Sequence, residues 1–255
     1  MPALLTFTAL EGVPTVRRGD DLAALIGEAA ERSRIEFRTG DVVVLAQKIV
    51  SKAEGRAVRL SGVDPSPRAR ELAAQSEKDA RIVELILRES TEVLRCRPGA
   101  IIVVHRLGFV LANAGIDASN VESADGEETV LLLPENPDAS AAGIRAGLHA
   151  WLGVDVAVVV NDSFGRAWRL GTIGTAIGVA GLPGLLDLRG TPDRLARPLR
   201  VTEVGVADEL ASGASLLMGQ AAEGRPIVHV RGFPYARRDG NAKELLRPKQ
   251  MDMFR

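Results

Sequence analysis

Hydrophobic positions in this chain fall into short runs separated by polar and glycine-rich stretches, and the runs differ in kind. Val42-Val43-Val44-Leu45 is wholly apolar and β-branched, as is most of 154–160, and both predict fully buried strands. Residues 3–10 alternate enough for a strand that ends in the turn Glu11-Gly12-Val13-Pro14, and 226–230 predict a last strand. Asp20 and Asp21 are placed to cap a helix reaching about Arg34, with Leu22, Leu25 and Ile26 at helical spacing. Residues 66–88 predict helix, in one or two segments, and further helices are expected at about 141–152 and within 202–218. Residues 100–105 and 109–113, joined by Arg106-Leu107-Gly108, predict a hairpin. Residues 123–143 predict a surface connection around a short strand at Leu131-Leu132-Leu133, and the charged tail 237–255 is expected at the periphery.

Helices and strands mix without a βαβ rhythm, and neither GxGxxG nor GxxxxGK[ST] occurs, so no Rossmann or P-loop nucleotide site is indicated. The expected class is α+β, with mixed and antiparallel sheets and flanking helices. The chain is expected to form one unit (1–255), with 65–150 as a lobe against 1–64 plus 151–255.

Charge changes little in this picture: 32 basic against 33 acidic residues give a net charge of -1, with no global field for nucleic acid or an anionic membrane. An anionic substrate must then be held by local basic groups. The single cysteine, Cys96, excludes an internal disulfide and a multi-cysteine zinc site; its two readings are a reactive thiol between Arg95 and Arg97 or a small residue at a helix end. The start lacks a secretion signal, and no apolar run reaches the roughly 18 residues that cross a bilayer. The expectation is a soluble cytoplasmic protein.

Four segments carry possible chemistry. In the first, a buried strand runs into Gln47, Lys48 and Lys52; two ammonium groups suit a polyphosphate, or they are solvated lysines on a helix start. The second, Leu111 to Asn120, sets Asp117, Ser119 and Asn120 on a turn, where hard oxygens suit Mg²⁺ or Mn²⁺, or an Asx turn serves only the backbone. The third puts Asp162 and Ser163 after an apolar strand, followed by Arg166 and Arg169. A carboxylate there binds a cation or caps a helix. The fourth, a helix running into Gly219, Gln220 and Glu223, reads equally as a helix end. Gly171, Gly174, Gly178, Gly181 and Gly184 allow close backbone approach, for packing or for a ligand. His105, His149 and His229 have no ligand spacing, with His105 and His229 expected in the core. There is no Ser-His-Asp order and no GxSxG elbow.

Taken together, GDVVVLAQKIVSKAEGR, FVLANAGIDASNVE, NDSFGRAWRLGTIGTAIGVAGL and VTEVGVADELASGASLLMG resemble the coenzyme F420-0:L-glutamate ligase family, in its order and from Glu11 to about Gly232. The chain looks like the form without the flavin-binding, nitroreductase-like domain of some relatives. The resemblance implies GTP-dependent addition of L-glutamate, in one or more γ-linked steps, to a deazaflavin, by a homodimer of unusual two-lobed fold. It implies two Mg²⁺ or Mn²⁺ sites, with K⁺ as a further possible cation. Asp117 and Asp162 look like ligands of the first metal, Ser163 and Gln220 of the second. The nucleotide would be held by Val13, Pro14, Thr15, Val16, Gln47, Lys48, Lys52, Asn120, Met218, Gly219, Gln220, Ala221, Ala222, Glu223, Gly224 and Arg225. Catalysis would rest on Asp117, Asp162, Lys52 and Arg166. Three departures stand out: Asn161-Asp162-Ser163 replaces a common Thr-Asp-Thr, Gln220 replaces a Glu of some members, and Gln47-Lys48 replaces a pair of small hydroxyl residues. The same aspartates and lysines would also serve a metal-dependent phosphohydrolase or a nucleotide-binding regulatory module.

Overall fold

The computed structural model describes residues 3–118 and 126–252. The first half forms β1 (Thr6–Ala9), α1 (Leu22–Arg32), β2 (Val42–Ala46), α2 (Gln47–Ala53), β3 (Ala57–Arg59), α3 (Pro67–Ser76), α4 (Ala80–Arg88), β4 (Ser90–Arg97), β5 (Ala100–His105) and β6 (Val110–Ala112). The second half adds β7 (Thr129–Leu131), α5 (Pro137–Leu152), β8 (Ala157–Arg166), β9 (Arg169–Ala180), β10 (Leu186–Asp187), β11 (Glu203–Val204), α6 (Val206–Met218) and β12 (Ile227–Arg231). Five strands make the main sheet in the order β1-β12-β2-β8-β9. β2 and β8 pair in parallel, while the other neighbours are antiparallel. The class is α+β, as the patterning predicts.

The two all-apolar runs are central strands because nothing in them needs water. Val42 to Leu45 and Val156 to Val160 are buried. The Asp21 carboxylate accepts from the Ala23 and Ala24 N–H groups and starts α1. Ser66 caps α3, Glu77 ends it with a left-handed backbone (φ 55°), and Asp79 caps α4, so 66–88 is two helices. These two helices pack on the β4-β5-β6 sheet around a buried cluster of Leu72, Val83, Ile86, Ile101 and Val103.

The glycine-dense stretch is strand β9 as far as Ala180, and within it Gly174 and Gly178 serve packing. A Cβ on Gly174 would run into the Ala211 carbonyl of α6, and one on Gly178 into the Pro137 carbonyl of α5. Glycine is thus what allows both helices to lie against β9.

Four expectations change. Residues 126–143 are more than a surface connection (123–125 lie outside the described residues): Leu131 to Leu133 are buried, and α5 begins at Pro137, whose missing N–H is harmless at a helix start. The charged tail is docked, with Ala242 buried and its N–H donating to Asp138. Glu244 accepts there from the Gly184 N–H at 3.0 Å. Cys96 lies in β4, not at a helix end. The strand expected at 154–160 runs from Ala157 to Arg166, because β9 continues to pair with it beyond the apolar part.

His105 and His229 are core residues. His105 Nδ1 accepts from the Leu107 N–H at 3.0 Å, and Nε2 faces Glu89 at 3.4 Å. Glu89 also takes Arg56 and Arg106, each at 3.0 Å, and so ties the start of β4 to the segments after α2 and β5. Burial opposes ionisation of Glu89, but His105, Arg56 and Arg106 outweigh it and hold the carboxyl down at about 2. Asp41 is bound by His229 at 2.8 Å and by Arg231 at 2.6 and 2.9 Å, far below the usual carboxylate range despite its burial. Among the described residues, no helix is long and apolar enough to cross a membrane.

Candidate functional site

The parallel register of β2 and β8 sets Ala46 opposite Asn161. The next residues of each strand, Gln47-Lys48 and Asp162-Ser163, therefore leave side by side at the carboxyl ends, where open sheets place their ligands. On one side the chain turns at once into α2, which aligns Lys48 and Lys52 one helical turn apart. On the other, β8 continues, so Asp162 is a strand residue and caps no helix. Its Oδ1 accepts from the Ser163 N–H at 2.7 Å.

Asp117 reaches the same place from the β4-β5-β6 unit. The turn before it holds Asn113, Ala114 and Gly115 all at positive φ (53°, 52° and 66°), a conformation that costs an alanine about 1–2 kcal/mol. Past the turn, Asp117 exchanges backbone hydrogen bonds with Leu131 at 2.7 and 3.0 Å, which settles its main chain. The side chain points to α2: its Oδ2 is 2.5 Å from Lys48 Nζ.

A cavity of about 430 Å³ opens at this junction. It brings together, among the described residues, Gln47, Lys48, Lys52, Asp162, Ser163 and the whole loop Met218, Gly219, Gln220, Ala221, Ala222, Glu223, Gly224 and Arg225. Asp117 joins through Lys48. Val13, Pro14, Thr15 and Val16 do not line it; Val16 is buried in the main core and Val13 packs against that core. Arg166 and Arg169 sit farther out, paired across the end of the β8–β9 hairpin. Asn120, like Ser119, lies outside the described residues.

Ala46 and Pro226 also line the cavity, as does Asn161, singled out in the sequence only as part of a departure from the family pattern. Asn161 is buried, its Nδ2 meets only the Met218 sulfur at 3.4 Å, and its Oδ1 has no partner among the described residues. The signal for it is a carboxamide at the point where an apolar run gives way to polar residues.

Burial pushes the Asp162 carboxyl up to about 6. The negative charge of Asp117 raises it further, while the Ser163 N–H and Lys48 pull the other way. The two carboxylates feel each other's charge, and Ser163 and Gln220 line the same cavity as Asp162. Among the described residues no group of three or more His, Cys, Asp or Glu could hold a metal ion.

Residues 12–232 match the family model described as F420-0:Gamma-glutamyl ligase. A protein of Methanothermobacter thermautotrophicus named coenzyme F420:L-glutamate ligase is 46% identical over 253 residues, covering 98% of this chain and 99% of its own length. Proteins of the same name from Methanopyrus kandleri and Archaeoglobus fulgidus are 45% and 43% identical; they cover 96% of this chain each and 97% and 94% of their own lengths. With a family match over most of its length and relatives this similar, the chain belongs to the F420-0:Gamma-glutamyl ligase family.

Proposed function

We propose that this chain is an amide-forming ligase that uses GTP to add L-glutamate, in one or more γ-linked steps, to the deazaflavin coenzyme F420-0. One observation carries the reading: a single cavity gathers Lys48, Lys52, Asp162, Ser163 and the 218–225 loop, with Asp117 tied to Lys48 at its edge.

A carboxylate does not react with an amine near neutral pH, because its oxygen is a poor leaving group. Transfer of the γ-phosphoryl group to that oxygen gives an acyl phosphate and GDP. Attack by the unprotonated glutamate amine then forms the amide and releases inorganic phosphate. Such transfer needs positioning and charge neutralisation more than a protein nucleophile. Lys48 and Lys52 supply positive charge to the phosphates. Asp117, Asp162, Ser163 and Gln220 would hold Mg²⁺ or Mn²⁺, which when bound neutralises charge developing on the phosphate oxygens. Potassium is a further cation in this reading. Arg166 and Arg169, out along the hairpin, suit the acceptor's phosphodiester or the carboxylates of glutamate.

A homodimer is part of the same reading. The hairpin end carries Trp168 and Leu170, which are 80% and 100% exposed, and covering them gives a second copy a place to bind. Light scattering of the purified protein tests this.

GDP formation measured with and without acceptor and glutamate tests the chemistry. The ligase reading expects GTP turnover to require the acceptor. Brisk hydrolysis by the protein alone points instead to a phosphohydrolase.

A further inference from the structure

The loop on one side of the cavity is bracketed by two glycines with left-handed backbones, Gly219 at φ 72° and Gly224 at φ 65°. Between them Glu223 folds back on the loop. Its Oε2 accepts a hydrogen bond from the Ala221 N–H at 2.8 Å. The N–H groups of Glu223 itself and of Gln220 act on the same carboxylate, and Arg225 adds its charge, so the carboxyl is held below its usual range. A Cβ on Gly219 would collide with both carboxylate oxygens, so the carboxylate lies in the space that this glycine leaves open. Convergent N–H groups on a turn, close to Lys48, Lys52 and Arg225 in one cavity, form the kind of concavity that binds phosphate oxygens.

We infer that this cluster of backbone N–H groups is an anion subsite of the cavity, and that Glu223 is its built-in occupant, a carboxylate that a phosphate group of the nucleotide displaces. The inference rests on the nucleotide reading above and adds a specificity device to it. Both proposed co-reactants of the nucleotide, glutamate and the acceptor, are themselves carboxylates. A resident carboxylate already satisfies the N–H groups, so a second one gains little by competing. A phosphate carries more charge and more oxygens, and it can also engage the two lysines. Rotation at Gly219 and Gly224 lets Glu223 leave without moving α6 or β12.

Self-occupation lowers apparent affinity by the fraction of molecules whose subsite is open. The test is calorimetric titration of the natural protein, Glu223→Ala, Glu223→Gln and Lys52→Ala with the β,γ-imido analogue of GTP and Mg²⁺, together with amide exchange at Ala221. Glu223→Ala should bind about 3- to 10-fold more tightly, as expected for a subsite filled roughly two-thirds to nine-tenths of the time. Glu223→Gln should fall between, and Lys52→Ala should bind more weakly. The Ala221 amide should exchange faster in Glu223→Ala and be protected again by the analogue. If Lys52→Ala weakens binding while Glu223→Ala binds no more tightly than the natural protein, the subsite is refuted and the nucleotide reading stands. If none of the four proteins binds the analogue, both fall.

Discussion

Lys48 Nζ stands 2.5 Å from Asp117 Oδ2 and so joins the helix that follows β2 to the turn that follows β6, two segments about seventy residues apart in sequence. The contact sets an ammonium group and a carboxylate side by side next to the cavity that Lys48 lines.

The pair is partly exposed, with side chains 30% and 26% accessible, so its loss should cost only about 0–1 kcal/mol of stability. Lys48→Met should therefore keep nearly the same thermal midpoint while turnover falls by about 10-fold or more. A large drop in midpoint with unchanged turnover per folded molecule would make the pair a structural tie only.

Asp162 is a charge that the fold by itself disfavours, since burial raises its carboxyl to about 6. Asp162→Asn should accordingly fold, with an unfolding midpoint equal to or above that of the natural protein. Its metal-dependent turnover should drop about 100-fold or more, the scale of losing one strong electrostatic group. Retained activity would remove Asp162 from the site.

Glu89 gives a pH dependence with a definite sign. Its folded-state value of about 2 lies below the ordinary 4.5, so its stabilisation is fully present above about pH 4.5. It is lost as the pH falls toward 2, by on the order of 2–3 kcal/mol. Glu89→Gln, which leaves Arg56 and Arg106 without their shared partner, should lower stability by about 3 kcal/mol at pH 7. It should also flatten the slope between pH 5 and 3. Urea midpoints over that range measure both; parallel slopes for the two proteins would contradict the assignment.

Gly174→Ala tests whether the glycines of β9 serve packing. The added methyl meets the Ala211 carbonyl and Asn161 Oδ1, so α6 must shift, at about 1–3 kcal/mol. Activity should fall with stability, because α6 leads directly into the 218–225 loop. An unchanged urea midpoint would mean that α6 is not held by that contact.

Residues that pack were easier to read than residues that bend the chain. β2, β12 and the apolar first half of β8 announce themselves because a buried run has no polar alternation to confuse. β9 escaped because its glycines look like a loop until α5 and α6 are seen against them. β4 escaped because Ser90 to Arg97 is polar and half exposed, with two register shifts that blur any period of two. Within the site, Lys48, Lys52, Asp162 and the 218–225 loop were recognised through long strings that resemble a family, not through spacing. No local pattern shows that Asp117 arrives beside Lys48, because that meeting depends on a left-handed turn at Asn113 and Ala114 and on backbone pairing with Leu131.

Mass spectrometry of the deazaflavin acceptor after incubation with the protein, GTP, Mn²⁺ and L-glutamate tests the ligase reading most directly. The account predicts products heavier by one or more glutamyl units, formed only with nucleotide and metal present and absent with Asp162→Asn. An acceptor of unchanged mass alongside consumed GTP would contradict it.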